Sequence, residues 1–133
     1  MTHHPSLVSR ILAAIRTQPD IRLAILFGSL AARKGRADSD LDLAVDSGRR
    51  LTANEKIALI SELAGSTGRP VDLVDIHAVG EPLLGQILQH GKRILGSDTQ
   101  YANLIRRHLF EQADYLPYRN RILAERRRAW IGR

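Results

Sequence analysis

Residues 27–45 read FGSLAARKGRADSDLDLAV. An apolar run from Ile21 to Phe27 (IRLAILF) enters this segment and stops at Gly28-Ser29, as a buried strand does at a tight turn. After ten further residues, Leu41, Leu43 and Val45 alternate with Asp40, Asp42, Ala44 and Asp46, the period of two that predicts a second strand. The stretch between them, LAARKGRADS, is small, basic and polar and predicts a loop or one helical turn.

Positions two apart on a strand project from one face, so Asp40 and Asp42 are expected to present their carboxylates side by side. Two carboxylates about 5 Å apart repel by roughly 3 kcal/mol at an effective dielectric near 20, an arrangement that favours a bound cation. Oxygen-only donors select Mg²⁺ or Mn²⁺ over zinc, and Mg²⁺ commonly takes one or two carboxylates plus substrate phosphates. Gly28 lets the backbone approach an anion closely, and Ser29 offers a hydroxyl and an amide N–H. Arg33, Lys34 and Arg36 are available for phosphate charge. A third carboxylate is expected from Val71-Asp72-Leu73-Val74-Asp75, whose two acids lie on opposite faces of a strand. Asp72, early on the strand, is preferred to Asp75 near its exit.

Outward from this segment, Leu7, Ile11, Leu12 and Ile15 recur at helical spacing until Pro19-Asp20 breaks the pattern. Thr52 and Glu55 form a capping-box signature ahead of Ile57, Leu59, Ile60 and Leu63. Val71–Ile76 reads as a third strand, Glu81–His90 as a short helix, and Arg93-Ile94-Leu95 as an edge strand. Ser97-Asp98 caps a last helix to about Gln112, with a second piece expected after Pro117. The order α-β-loop-β-α-β-α-β-α predicts an α/β fold, a small mixed β-sheet with helices packed on it.

The 133 residues suit one domain, and the absence of cysteine excludes disulfides, thiolate metal sites and cysteine nucleophiles. No apolar run reaches the roughly 18–20 residues of a membrane span, and MTHHPSLVSR lacks a secretory apolar core, so a cytoplasmic protein is expected. The net charge of +6 is uneven: residues 105–133 hold 8 Arg against 3 acids, which suggests an acidic or nucleic-acid partner. Only Phe27 of the aromatic residues precedes Tyr101, leaving no stacking platform for single-stranded bases. Leu104, Leu109, Phe110, Tyr115, Leu116, Tyr118, Ile122, Leu123, Trp130 and Ile131 are too many apolar residues for a merely solvated tail. Part of it is expected to pack on the domain and part to face a partner. His3, His4, His77 and His90 read as structural or surface residues, and His108 as part of the partner-facing surface.

The spacing Gly-Ser, ten residues, Asp-x-Asp resembles the minimal nucleotidyltransferases of the polymerase-beta-like superfamily, over about residues 7–96. The length and the Arg-rich tail look most like the MNT antitoxins, which pair with HEPN-domain RNase toxins. The resemblance implies a nucleotidyltransferase domain over 1–97 and an Arg-rich helical extension of the same compact unit over 98–133. It implies Mg²⁺-dependent transfer of AMP from ATP to a tyrosine hydroxyl of the toxin. Gly28, Ser29 and Arg36 would bind the nucleotide; Asp40 and Asp42 would ligate the metal, and Asp72 would complete the site and help deprotonate the acceptor. Many relatives carry arginines where this chain has Leu30 and Ala32, which bears on triphosphate affinity. The competing expectations are a purely binding antitoxin, and transfer to an aminoglycoside or an RNA end.

Overall fold

A computed structural model describes residues 6–31 and 39–131, with side chains as far as Arg128. Helix α1 (Leu7–Ile15) opens at Ser6, whose hydroxyl accepts the Ser9 N–H at 3.1 Å, and it buries Ile11, Ala14 and Ile15. Strand β1 (Leu23–Phe27) runs into a single turn, α2 (Gly28–Ala31). Strand β2 (Leu41–Asp46) follows, then α3 (Ala53–Thr67), β3 (Val71–Asp75), α4 (Leu83–His90), β4 (Lys92–Leu95) and α5 (Asp98–Ile131). Both halves of the Thr52/Glu55 capping box form, and α3 ends on Gly68 in the left-handed conformation at φ +66°. A second box closes the start of α5: Ser97 Oγ accepts the Gln100 N–H, and Gln100 Oε1 accepts the Ser97 N–H.

The sheet order is β3-β2-β1-β4, with β2 and β3 parallel and the other pairs antiparallel. The strict alternation of β1 and β2 divides the apolar residues between two faces. Ala24, Leu26, Leu41, Leu43 and Val45 pack against Ile11, Ile15, Leu59 and Leu63 of α1 and α3. Leu23, Ile25, Ala44, Val74 and Ile76 pack against Leu84 and Ile87 of α4 and Leu104 of α5. The sheet is thus the middle of three layers, and the ends of its strands are left to carry polar groups.

The expected break at Pro117 is not found. α5 is one helix of 34 residues, about 51 Å long, with Pro117 inside it. Proline removes one amide donor and crowds the preceding turn at a cost of about 3 kcal/mol, but its fixed φ is itself helical. The leucines, alanines and arginines on both sides favour helix strongly enough to carry the element through. Among the described residues, no helix is long and apolar enough to cross a membrane.

Candidate active site

Phe27, the last residue of β1, lies opposite Asp42 of β2, and Asp42 lies in register with Asp72 of β3. Paired residues of neighbouring strands share a face, so three adjacent strands deliver Gly28, Asp42 and Asp72 to one place. The contact is close. A Cβ placed on Gly28 would stand 2.1 Å from Asp42 Oδ2, and Gly28 holds φ +70°. Only glycine fits there, for want of a side chain and for its backbone conformation. The glycine of the motif and its second aspartate are therefore halves of one packed junction.

The Asp42 carboxyl is held above the ordinary carboxylate range. Burial is the largest cause, followed by the charges of Asp72 and Asp40 and a side-chain hydrogen bond with Asp72. A carboxyl whose charged form is disfavoured by burial and by neighbouring acids is one that a bound cation would favour. Among the described residues no three acids or histidines are gathered closely enough to enclose a metal ion. The chain instead brings a carboxylate pair together, with Asp40 exposed one residue before β2 begins. A hard cation that completes its shell with phosphate oxygens fits such a half-site. Ser29 is exposed in the turn after Gly28, while Arg33, Lys34 and Arg36 lie outside the described residues.

The two aspartates of β3 have different surroundings. Asp72 is exposed beside Asp42. Asp75 is buried on the opposite face, and its carboxylate accepts the Leu51 N–H at 2.7 Å and the His77 N–H at 2.9 Å. It closes two loops and has no access to the motif. The immediate neighbours of Asp40 are tied down: Arg69 donates to the Ser39 carbonyl at 3.0 Å, and the Leu41 N–H donates to that of Pro70 at 2.8 Å.

A polar cluster at the far end of the sheet lay beyond the sequence reading. Asp46 is buried, accepts the Gly48 N–H at 2.7 Å, and meets His77 Nε2 at 2.7 Å and Arg22 at 3.8 Å. Arg107 of α5 donates to the carbonyls of Ile76 and Val79 at 2.7 and 2.6 Å and pairs with Glu111 at 2.8 Å. His77 is thus structural, as expected. His108 departs from expectation: its Nδ1 meets the Glu81 carboxylate between α4 and α5, and Gly85 leaves the room for that pair. Apart from the Asp46–Gly48 and Arg107–Glu111 contacts, these partners lie far apart in the chain, out of reach of local sequence patterns.

Known proteins share this fold. Protein adenylyltransferase MntA of Shewanella oneidensis is 32% identical over 79 residues, covering 59% of this chain and 57% of that protein. A crystal structure of a toxin–antitoxin with AMP-PNP superposes with a TM-score of 0.81 at 24% identity, covering 89% of this chain and 96% of its own. A tri-AMPylated HEPN toxin of Shewanella oneidensis in complex with MNT antitoxin gives 0.67 at 24% identity, covering 88% and 96%. Identities this low speak for the fold. Residues 9–100, which hold the whole sheet and the Gly28–Asp42–Asp72 junction, match the family described as Polymerase beta, Nucleotidyltransferase, and the chain belongs to it.

Proposed function

We propose that this chain is a cytoplasmic Mg²⁺-dependent adenylyltransferase that moves AMP from ATP onto a tyrosine hydroxyl of a cognate HEPN-domain RNase toxin, and thereby acts as its antitoxin. The observation that carries the reading is the packed junction of Gly28 with the Asp42–Asp72 pair. The adenylyltransferase relative supports the reaction class, and the neighbours seen with AMP-PNP or an AMPylated HEPN toxin support donor and acceptor.

Asp40, Asp42 and Asp72 would hold Mg²⁺ or Mn²⁺, which when bound neutralises the triphosphate and steadies charge on the entering and leaving oxygens. The N–H and hydroxyl of Ser29 would hold phosphate oxygens beside the packed Gly28–Asp42 junction, and Arg36 would pair with the triphosphate. Asp72, exposed at the margin of the sheet, takes the proton of the tyrosine hydroxyl. The tyrosine oxygen bonds to the α-phosphorus, the bond to the bridging α–β oxygen breaks, and pyrophosphate leaves. Positioning and charge neutralisation supply most of the acceleration.

The test is incubation of the chain and the HEPN partner with α-labelled ATP and Mg²⁺. Label is expected on the partner's tyrosine. Asp40→Asn with Asp42→Asn should cut transfer at least about a thousandfold, roughly 4 kcal/mol of barrier, while partner binding persists. Full protection of cells by the transfer-dead double variant would favour the purely binding antitoxin. Label on an aminoglycoside or an RNA end in place of the tyrosine would reassign the acceptor.

A further inference from the structure

From Ile105 onward, α5 carries an apolar column that the described domain leaves exposed. Leu109, Leu116 and Leu123 stand seven residues apart and are 58%, 42% and 49% exposed. Seven residues return an α-helix to nearly the same direction, so the three leucines form one stripe, extended toward the domain by exposed Ile105. Leu104, Arg107 and His108 face the domain and hold the base of α5 against α4 and the loop after β3. The stripe is therefore displayed from a fixed support.

The charges beside the stripe are of one sign. With Leu109, Leu116 and Leu123 taken as heptad position a, Arg119 and Arg126 fall at d, and Arg106 and Arg127 at e. The acids of the same stretch, Glu111, Asp114 and Glu125, fall at c and f, on the opposite side. Among the described residues, Arg119, Arg126 and Arg127 form no ion pair. Two copies of this helix would set arginine against arginine in either orientation, since neither border of the stripe holds an acid. A helix with acidic flanks meets both requirements, apolar centre and countercharge.

We infer that the distal half of α5 is a docking seam for an amphipathic helix of a partner protein, one whose apolar stripe is bordered by glutamates or aspartates. The inference rests on the antitoxin reading only in taking that partner to be the toxin; the chemistry of the seam is tested without nucleotide. The probes are two synthetic four-heptad peptides with leucine at a and d, one bearing glutamate and the other lysine at e and g. The full chain should bind the glutamate peptide at least tenfold more tightly, with the preference shrinking as salt rises. Leu116→Asp with Leu123→Asp should abolish that binding without lowering the Tm. Arg119→Glu with Arg126→Glu should reverse the preference between peptides. Equal affinity for the two peptides, or binding of neither, would overturn the inference. So would sedimentation showing a dimer of the free chain that Leu116→Asp with Leu123→Asp dissolves, because the seam would then belong to a second copy. A chain that binds the glutamate peptide yet transfers no AMP would keep the seam and lose the transferase.

Discussion

Alanine at Gly28 would place a methyl group 2.1 Å from Asp42 Oδ2, 3.0 Å from its Cγ and 3.2 Å from its Cβ. Ordinary contact begins at 3.4 Å, so the carboxylate must retreat by about 1.3 Å. Rotating the Asp42 side chain does not suffice, because its Cβ is also too near; the β1–β2 pair must spread where Phe27 faces Asp42. Left-handed φ adds about 1–2 kcal/mol for any residue with a side chain. We expect a total stability loss of about 2–3 kcal/mol by urea denaturation. Misplacing a reacting group by about 1 Å costs roughly a hundredfold in rate, so AMP transfer at saturating ATP should fall by about that factor. Gly68→Ala is the matched control: its φ is +66°, and a Cβ there meets nothing within 4 Å. It should show the backbone strain alone and leave transfer intact. If Gly28→Ala matched Gly68→Ala in stability and kept transfer within about threefold of the parent, the packed-junction argument would fail.

Asp42 in the folded chain binds its proton more tightly than its ordinary value of 3.8, so its contribution to stability is complete below that pH and declines as pH rises through the raised value. Asp42→Asn should therefore stabilise the metal-free chain at neutral pH, by about 1 kcal/mol because exposed Asp72 is well screened. The gain should vanish below pH 3.8, and thermal melts that show it unchanged there would contradict the assignment. Asp75→Ala strands one buried and one half-buried amide donor and should lower stability by about 2–3 kcal/mol, seen as an earlier urea midpoint, without changing affinity for Mg²⁺-ATP. Mg²⁺-ATP at about a hundred times its Kd should stabilise the chain by roughly 2.7 kcal/mol, reversed by a chelator. A melting temperature indifferent to millimolar Mg²⁺-ATP would count against a working site.

Local signals in the sequence were enough for most of the fold. Helix starts announce themselves through capping residues, as at Thr52 and Ser97, and strands through alternation, as at Leu41–Val45. Alternation says only that Asp72 and Asp75 face opposite ways, and the preference for Asp72 rests on its early place in the strand. The register of β3 on β2 decides which of them meets Asp42. Pro117 misled for a related reason: the helix-breaking tendency of proline is local, and the long favourable flanks of α5 override it. The Asp46–His77 and Glu81–His108 pairs span 31 and 27 residues, and no periodicity links such positions.

Among the described strands, the sheet order puts β3 at an edge, where its outward row of backbone donors and acceptors could template another strand. The residues there, Val71 to Ile76, would read as a fibril-forming stretch but for their two aspartates, and Asp75 is turned inward. Asp72 is thus the one exposed charge that discourages a second chain from extending the sheet at β3. Asp42, on an interior strand, has no such duty. Neutral substitutions at Asp72 should therefore cost soluble yield before they reveal anything about chemistry, whereas the same change at Asp42 should not. A charged replacement such as Asp72→Glu or Asp72→Lys preserves the guard and lets the two duties of this residue be measured apart.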